Sequence, residues 1–99
     1  MRYRFHPEAR EELIAAALYY ESQRSGLGDE FLDEVDVAIA AVLDAPERWP
    51  EVEAGIRRYR LDRFPYGLIY RHFRETKVIQ IEAVMELHRR PGYWHRRLS

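Results

Sequence analysis

The second half of the chain carries arginines interleaved with aromatic and histidine side chains. They comprise Arg58, Arg60 and Arg63, and the C-terminal run His88, Arg89, Arg90, Tyr93, Trp94, His95, Arg96 and Arg97. Guanidinium groups neutralise phosphates and flat rings stack on unpaired bases, so this mixture suits RNA. We interpret the whole set as a candidate functional surface. The alternative is a solvated tail in which Tyr93 or Trp94 merely anchors the chain to the core.

This set contains the residue types that metal-independent RNA cleavage requires. Such cleavage needs a base for the ribose 2′-hydroxyl, cations for the developing charge, and an acid for the leaving oxygen. Histidine titrates near neutral pH, so His88 is the candidate acid or base, and Tyr93 is a second acid or a stacking platform. Arg60, Arg89 and Arg90 could then stabilise the charge. This chemistry requires two separate segments of the chain to converge in the fold.

Charge is unevenly distributed along the chain. Residues 1–54 hold 5 basic and 13 acidic side chains, whereas residues 55–99 hold 11 basic and 4 acidic ones, so the net charge of −1 conceals two opposite halves. Lys77 is the one lysine among the 16 basic residues. Arginine suits bidentate recognition of phosphate and carboxylate. The segregation indicates two faces with different roles.

Several function classes are excluded or disfavoured by composition. The chain has no cysteine, which excludes disulfide frameworks, thiolate metal sites and cysteine nucleophiles. The spacing of His88 and His95 matches no metal motif, so we expect neither a metal nor another cofactor. No apolar run approaches the ~20 residues of a membrane span, and no export signal is visible. We therefore expect a cytoplasmic protein with no membrane association.

Helical periodicity dominates the first half of the sequence. Residues 2–6 favour a short strand, and Pro7 fits the first position of a helix that runs to about Gln23. Asp29 is the candidate N-cap of a second helix, which Pro46 ends. Apolar residues mark the buried stripes, namely Ala9, Leu13, Ala16 and Tyr20, then Phe31, Val35, Ile39 and Val42. Alanines at 15–17, 38, 40 and 41 would let the two helices approach closely as an antiparallel hairpin.

The second half alternates with the period of strands. Residues 46–55 are expected to be irregular, and strands follow at 56–61, 66–73 and 78–85, with Ile79, Ile81 and Ala83 on the core face. Short polar connections favour an antiparallel meander. The predicted fold is α+β, in which an N-terminal strand and a two-helix antiparallel hairpin pack on this C-terminal meander. The length of 99 residues predicts one domain spanning 1–99.

An ordered set of short motifs resembles the RelE/ParE superfamily of bacterial toxins, and most closely its ParE-like, plasmid-stabilisation branch. The motifs are Tyr19-Tyr20-Glu21, Gly26-Leu27-Gly28 with Phe31, Pro46 with Trp49-Pro50, Arg60, Phe64-Pro65-Tyr66, Ile69-Tyr70, Ala83-Val84, and His88-Arg89-Arg90-Pro91-x-Tyr93-Trp94 with Arg97. The match covers nearly the whole chain. The resemblance implies a RelE/ParE-like fold and the toxin of a type II toxin–antitoxin pair, which a cognate antitoxin neutralises in a hetero-oligomer.

The resemblance implies two different targets. ParE-like members inhibit DNA gyrase without cleaving anything, and that is the primary expectation; Arg58, Arg63, Trp94, Arg96 and Arg97 are the expected target-binding residues. RelE-like members cut mRNA on the ribosome, and their functional positions would fall here on Arg60, His88, Arg89, Arg90 and Tyr93. The single lysine and the near-neutral total charge depart from the mRNA-cleaving pattern. A degenerate toxin that only binds its antitoxin is a third possibility.

Overall fold

The computed structural model describes residues 1–98 as two helices and five strands followed by a short 3₁₀ helix. In chain order the elements are β1 (Arg2–Phe5), α1 (Pro7–Gln23), α2 (Leu27–Asp44), β2 (Glu51–Glu53), β3 (Ile56–Arg60), β4 (Tyr66–Phe73), β5 (Val78–Glu86) and the 3₁₀ helix (His95–Leu98). The α+β class and the helical hairpin are confirmed. The sheet has five strands, of which the sequence predicted four.

The first helix begins where the sequence places it. Pro7 occupies the first turn, and the His6 imidazole accepts a hydrogen bond from the Glu8 amide at 3.0 Å, which satisfies one amide of the exposed helix start. Ala9 and Ala16 are buried, and Leu13 and Tyr20 pack beside them against the core. The predicted buried stripe of α1 is therefore confirmed.

The second helix begins three residues earlier than predicted, so the assignment of Asp29 as its N-cap is wrong. The N-cap is Gly26, whose φ of 89° lies in the left-handed region that favours glycine. The Glu21 carboxylate accepts hydrogen bonds from the amides of Gly26 and Gly28, both at 3.0 Å. A carboxylate from the preceding helix thus caps α2 and complements its positive end.

A glycine sets the distance between the two helices. A Cβ atom on Gly28 would lie 2.6 Å from the Ala17 carbonyl oxygen and 3.1 Å from the Glu21 Cβ. Ala16 and Ala38 are buried in the same layer, whereas Ala15 and Ala40 are exposed, so the predicted alanine contact holds in part. Gly28 adds the tightest contact, because the α1 backbone occupies the space that a side chain would need.

The sheet is mixed, with strand order β1-β5-β4-β3-β2. Strands β3, β4 and β5 form the predicted antiparallel meander, while β1 pairs in parallel with β5 along Arg2–Phe5 and Val78–Ile81. Residues 51–53, which were expected to be irregular, pair with β3 as an exposed edge strand. Three exposed residues carry no apolar alternation, so β2 is specified by its pairing with β3 rather than by its own sequence.

A β-bulge in β5 changes the face of the sheet on which its last side chains lie. Ile69 pairs with Ala83 and Tyr70 with Ile81, so Glu82 is the extra residue. Ile79, Ile81 and Val84 pack against the helices, whereas Ala83 belongs to a separate apolar cluster. The prediction that Ala83 shares a face with Ile79 and Ile81 is therefore wrong, because strict alternation does not hold across a bulge.

The two faces of the sheet bury two different cores. The larger core lies between the helices and one face, and within it Tyr20 and Phe31 pack edge-on against Phe64 and Tyr66. The smaller core lies on the other face, and the chain after β5 covers it. Its buried members are Ile56, Ile69, Ala83, Met85 and Trp94. The chain after β5 is therefore part of a packed layer, although most of its basic side chains are exposed.

Candidate functional site

The residues after β5, numbered 87–98 and named here the C-terminal segment, are anchored by Trp94. The Trp94 side chain is buried in the smaller core with Ile69 and Met85. The Leu87 amide donates to the Pro65 carbonyl at 2.8 Å, which fixes the start of the segment beside the β3–β4 connection. Large aromatic side chains contribute much of the apolar area of small cores. Trp94 therefore contacts the protein interior rather than solvent.

Arg97 is buried next to a carboxylate of α1. Its side chain is 4% exposed. Its two terminal nitrogens donate to the two oxygens of Glu12 at 2.8 and 3.0 Å, and one also donates to the Glu82 carbonyl at 3.0 Å. The Arg97 Nε lies 3.8 Å from a Glu8 oxygen, beyond hydrogen-bonding distance. The guanidinium is paired through the bidentate geometry that buried arginines favour.

Tyr93 shares the same carboxylate. Its hydroxyl donates to Glu12 Oε2 at 2.6 Å. Burial, followed by the hydrogen bond to the Glu12 carboxylate, raises the pKa of Tyr93 far above its usual range. The Val84 amide donates to Glu12 Oε1 at 3.0 Å. Glu12 therefore joins α1, β5 and the C-terminal segment, and the hydroxyl of the candidate acid is occupied by an internal acceptor.

Arg89 and Arg90 are neighbours with different environments. The Arg89 guanidinium lies over the Tyr93 ring, 3.8 Å from its centroid, and its Nη1 is 3.7 Å from Glu12 Oε2. Such stacking combines cation–π attraction with a nearby counter-charge. The exposed Arg90 side chain has no partner within residues 1–98. Arg89 is thus held in place, and Arg90 is a freely solvated cation.

A groove of about 210 Å³ opens beside Arg89, between α1 and the ends of β4 and β5. Small and aromatic side chains form part of its wall, and charged side chains form its rim. The lining residues are Glu12, Ala15, Ala16, Tyr19, Tyr66, Val84, Glu86 and Arg89. The Tyr19 ring is exposed. The groove presents apolar surface bordered by both signs of charge, which fits a peptide-like ligand better than a bare phosphate.

His88 pairs with an acid two residues earlier. Its Nδ1 lies 2.5 Å from Glu86 Oε1, and its side chain is 84% exposed. The hydrogen bond from His88 lowers the pKa of Glu86. His88 also lines a second groove of about 390 Å³ with Arg60, Arg63, Phe64 and Leu87. Two of the predicted arginines thus meet His88 across this groove.

The arginines of β3 and of the connection that follows it differ in how firmly they are held. Arg63 donates to Glu30 at 2.7 Å and stacks on the Phe64 ring at 5.3 Å from its centroid. The Arg58 stem lies across Gly67, where an added Cβ would be 3.2 Å from Arg58 Cγ. Arg60 is exposed and has no side-chain partner within residues 1–98. Arg60 is therefore available to an external anion, while Arg63 is already paired.

The predicted site residues fall into three groups. Arg60, Arg63 and His88 line one groove, and Arg58 lies beside it; Arg89 and Tyr93 meet at Glu12 beside the other groove. Trp94 and Arg97 are interior, and Arg96 reaches back to Glu8 of α1 at 2.7 Å. The two segments do converge at one end of the sheet, although Tyr93 and His88 have separate partners.

The sequence-based reasoning missed the acidic partners of the basic residues. Glu8 and Glu12 are one helical turn apart on α1, and they bind Arg96 and Arg97 respectively. His95 similarly pairs with Glu53 of β2 at 2.7 Å. The i, i+4 spacing of two carboxylates beside a buried stripe was the available signal. Acidic side chains of the first half of the chain thus pair in the fold with many of the basic side chains of the second half.

Other kinds of site were also sought across residues 1–98. No group of three or more histidine, aspartate or glutamate side chains in this range could hold a metal ion. Neither of the two described helices is long and apolar enough to cross a membrane.

Comparisons with known proteins agree with the fold and the motifs. The family model "ParE toxin of type II toxin-antitoxin system, parDE" matches residues 3–91. A solved structure of the chromosomal ParDE toxin–antitoxin system from P. aeruginosa superposes with a TM-score of 0.62 at 20% identity, covering 89% of this chain and 97% of that chain. No curated protein matches significantly. The chain belongs to the ParE toxin family of type II toxin–antitoxin systems.

Proposed function

We propose that this toxin arrests growth by binding DNA gyrase and does not cut RNA. Family membership supports a growth-arresting toxin. The environment of Tyr93 is the observation that favours gyrase binding over RNA cleavage. An acid catalyst must reach its substrate and have a pKa near the working pH. The Tyr93 hydroxyl is instead bound to Glu12, and its pKa is raised far above its usual range.

The exposed arginines support recognition of a protein target. Arg60 and Arg90 have no internal partner within residues 1–98, and Arg89 is held at the edge of an apolar groove. Arginine and aromatic side chains are enriched in protein interfaces, and complementary charge accelerates encounter. Trp94 and Arg97 support this surface from inside rather than by direct contact.

One observation favours the RNA-cleaving alternative. Arg60, Arg63 and His88 line a common groove, which brings cations and a titratable group together. An mRNA-cleaving mechanism would have to use His88 without Tyr93. It would also require the His88 imidazole to leave Glu86, which lies 2.5 Å away.

We further propose neutralisation by an antitoxin that binds the exposed apolar side chains of α1. Ile14 and Leu18 lie one turn apart and are both exposed. A partner helix with matching apolar residues could cover them. The complex would form in the cytoplasm as a hetero-oligomer. The paired change Ile14→Glu with Leu18→Glu should abolish co-purification with the antitoxin, whereas Val37→Glu, at a comparably exposed apolar residue of α2, should not.

The decisive experiment compares gyrase supercoiling with mRNA integrity in the same preparations. Wild-type protein should inhibit supercoiling by purified gyrase and leave mRNA intact on translating ribosomes. The paired change Arg60→Gln with Arg90→Gln should weaken inhibition about tenfold or more, because two exposed charges are lost. Arg10→Gln, at an exposed arginine of α1, is the matched control. Codon-specific mRNA cleavage with unaffected supercoiling would reject gyrase in favour of the nuclease.

A further inference from the structure

We infer that Glu12 is a positioning residue that fixes the C-terminal segment against α1 and thereby orients Arg89 for target binding. The part concerning the target rests on the function proposed above. Glu12 itself is mostly buried, so it acts through the side chains that it holds. The motif analysis did not single it out, because its partners lie more than 70 residues away in sequence.

Glu12 joins α1 to the C-terminal segment, and these two parts of the chain have their apolar side chains in different cores. Trp94 anchors the C-terminal segment in the smaller core, on one face of the sheet. Helix α1 packs on the opposite face, where Ala9 and Ala16 enter the larger core. The Glu12 carboxylate reaches Arg97, Tyr93 and the Val84 amide, and so ties the segment to the other layer.

Both oxygens of the carboxylate are used, and each has more than one donor. Oε1 accepts from Arg97 at 2.8 Å and from the Val84 amide at 3.0 Å. Oε2 accepts from Tyr93 at 2.6 Å and from Arg97 at 3.0 Å. Charge-assisted bonds of this kind are stronger than neutral ones and fix geometry. A neutral amide in the same place would offer one acceptor oxygen, and the nearest carboxylate to Arg97 would then be that of Glu8, 3.8 Å from its Nε.

The hydrogen bonds of Glu12 also help to position an exposed residue, Arg89. The Tyr93 ring, fixed by its hydroxyl bond to Glu12, is the platform on which the Arg89 guanidinium lies at 3.8 Å. The same carboxylate lies 3.7 Å from Arg89 Nη1. An arginine held in one orientation loses less conformational entropy on binding than a mobile one. Arg90 has no such support, so it is the internal comparison.

The experiment is a double-mutant cycle with two readouts. The variants are Glu12→Gln, Arg89→Gln, Arg90→Gln and the two combinations with Glu12→Gln, with Glu11→Gln at the exposed neighbouring position as control. The first readout is inhibition of gyrase supercoiling. The second is hydrogen exchange at the His95 and Arg97 amides, which donate to Gly92 and Trp94 and need no target.

Positioning by Glu12 predicts a specific pattern. Arg89→Gln should weaken inhibition about tenfold more than Arg90→Gln in the wild-type background, and the two should become equal once Glu12 is neutral. The His95 and Arg97 amides should exchange at least about tenfold faster in Glu12→Gln, while the β4 amides stay protected. Glu11→Gln should change neither readout.

Other outcomes would overturn the inference or separate it from the proposed function. Unchanged exchange in Glu12→Gln, or an Arg89 effect that persists in full beside it, would overturn the positioning role. If wild-type protein leaves gyrase active, the proposed function falls and the exchange comparison alone decides whether Glu12 holds the segment. Should Glu12→Gln fail to fold, Tyr93→Phe keeps the ring and removes only its hydroxyl bond to Glu12. Its unchanged exchange would then count against the inference.

Discussion

Replacement of Arg97 by methionine removes a buried cation and keeps most of the side-chain length. The Arg97 side chain is 4% exposed, and the Glu12 side chain opposite it is 16% exposed. Removing one member of a buried ion pair costs about 3–5 kcal/mol, because the remaining charge loses its partner. Glu12 keeps the Tyr93 hydroxyl and the Val84 amide as donors. We therefore expect the lower end of that range, about 3 kcal/mol.

Such a loss is large for a chain of this size. Domains of about 100 residues lose roughly 4 °C or more in Tm per kcal/mol, so Arg97→Met should lower Tm by about 12 °C or more. Urea unfolding followed by tryptophan fluorescence gives the free energy directly, since Trp94 lies in the smaller core, three residues before Arg97. The double variant Glu12→Gln with Arg97→Met should recover part of the loss, because both charges are then absent.

The neighbouring arginine supplies the control. Arg96 pairs with Glu8 at 2.7 Å, but its side chain is 68% exposed. Exposed pairs are screened and well hydrated, so Arg96→Met should change the unfolding free energy very little. Equal losses for the two variants, or a loss below about 1 kcal/mol for Arg97→Met, would refute the view that burial of the pair sets its contribution.

Three further predictions concern the core and the helical hairpin. Burial raises the pKa of Tyr70 to about 12. The contribution of Tyr70 to stability is therefore complete below the unfolded pKa of about 10 and declines as the pH rises towards 12. Tyr70→Phe should flatten this decline when urea unfolding is repeated at a series of pH values. Gly28→Ala should destabilise by about 1–2 kcal/mol, since its Cβ meets the Ala17 carbonyl, and thermal unfolding measures this. Glu21→Gln should cost about 1 kcal/mol by weakening the α2 cap, measured by urea unfolding.

Local sequence patterns predicted the elements whose stability is decided locally. The apolar spacing in α1 and α2 and the β-rich runs of β4 and β5 gave their positions to within about three residues, as expected for periodic segments. Pro7 marked the start of α1 correctly, because proline at a helix start loses no hydrogen bond. The family motifs then identified the fold; some lie on these elements, such as Tyr19-Tyr20-Glu21 on α1 and Ile69-Tyr70 on β4, and others lie in the connections between them.

Pairing between distant residues explains most of what the sequence did not predict. The bulge at Glu82 depends on how β4 and β5 align. It moves Ala83 to the other face of the sheet, and the local sequence of β5 contains no pattern that predicts it. The start of α2 depends on Glu21, a residue of another helix. Arg97 and Glu12 are 85 positions apart, so no window of sequence contains both. Such contacts follow from tertiary packing alone.

The same pairing changes what the net charge means for function. A total of −1 departs from the pattern of basic, anion-binding toxins. Arg63, Arg96 and Arg97 are nevertheless satisfied by glutamates of the first half, so neither they nor those glutamates present a free charge. The potential at a binding surface depends on the nearest unpaired groups, since distant charges are screened within about 10 Å. Arg60 and Arg90 remain exposed and unpaired within residues 1–98, so a near-neutral chain can still present a locally basic surface to its target.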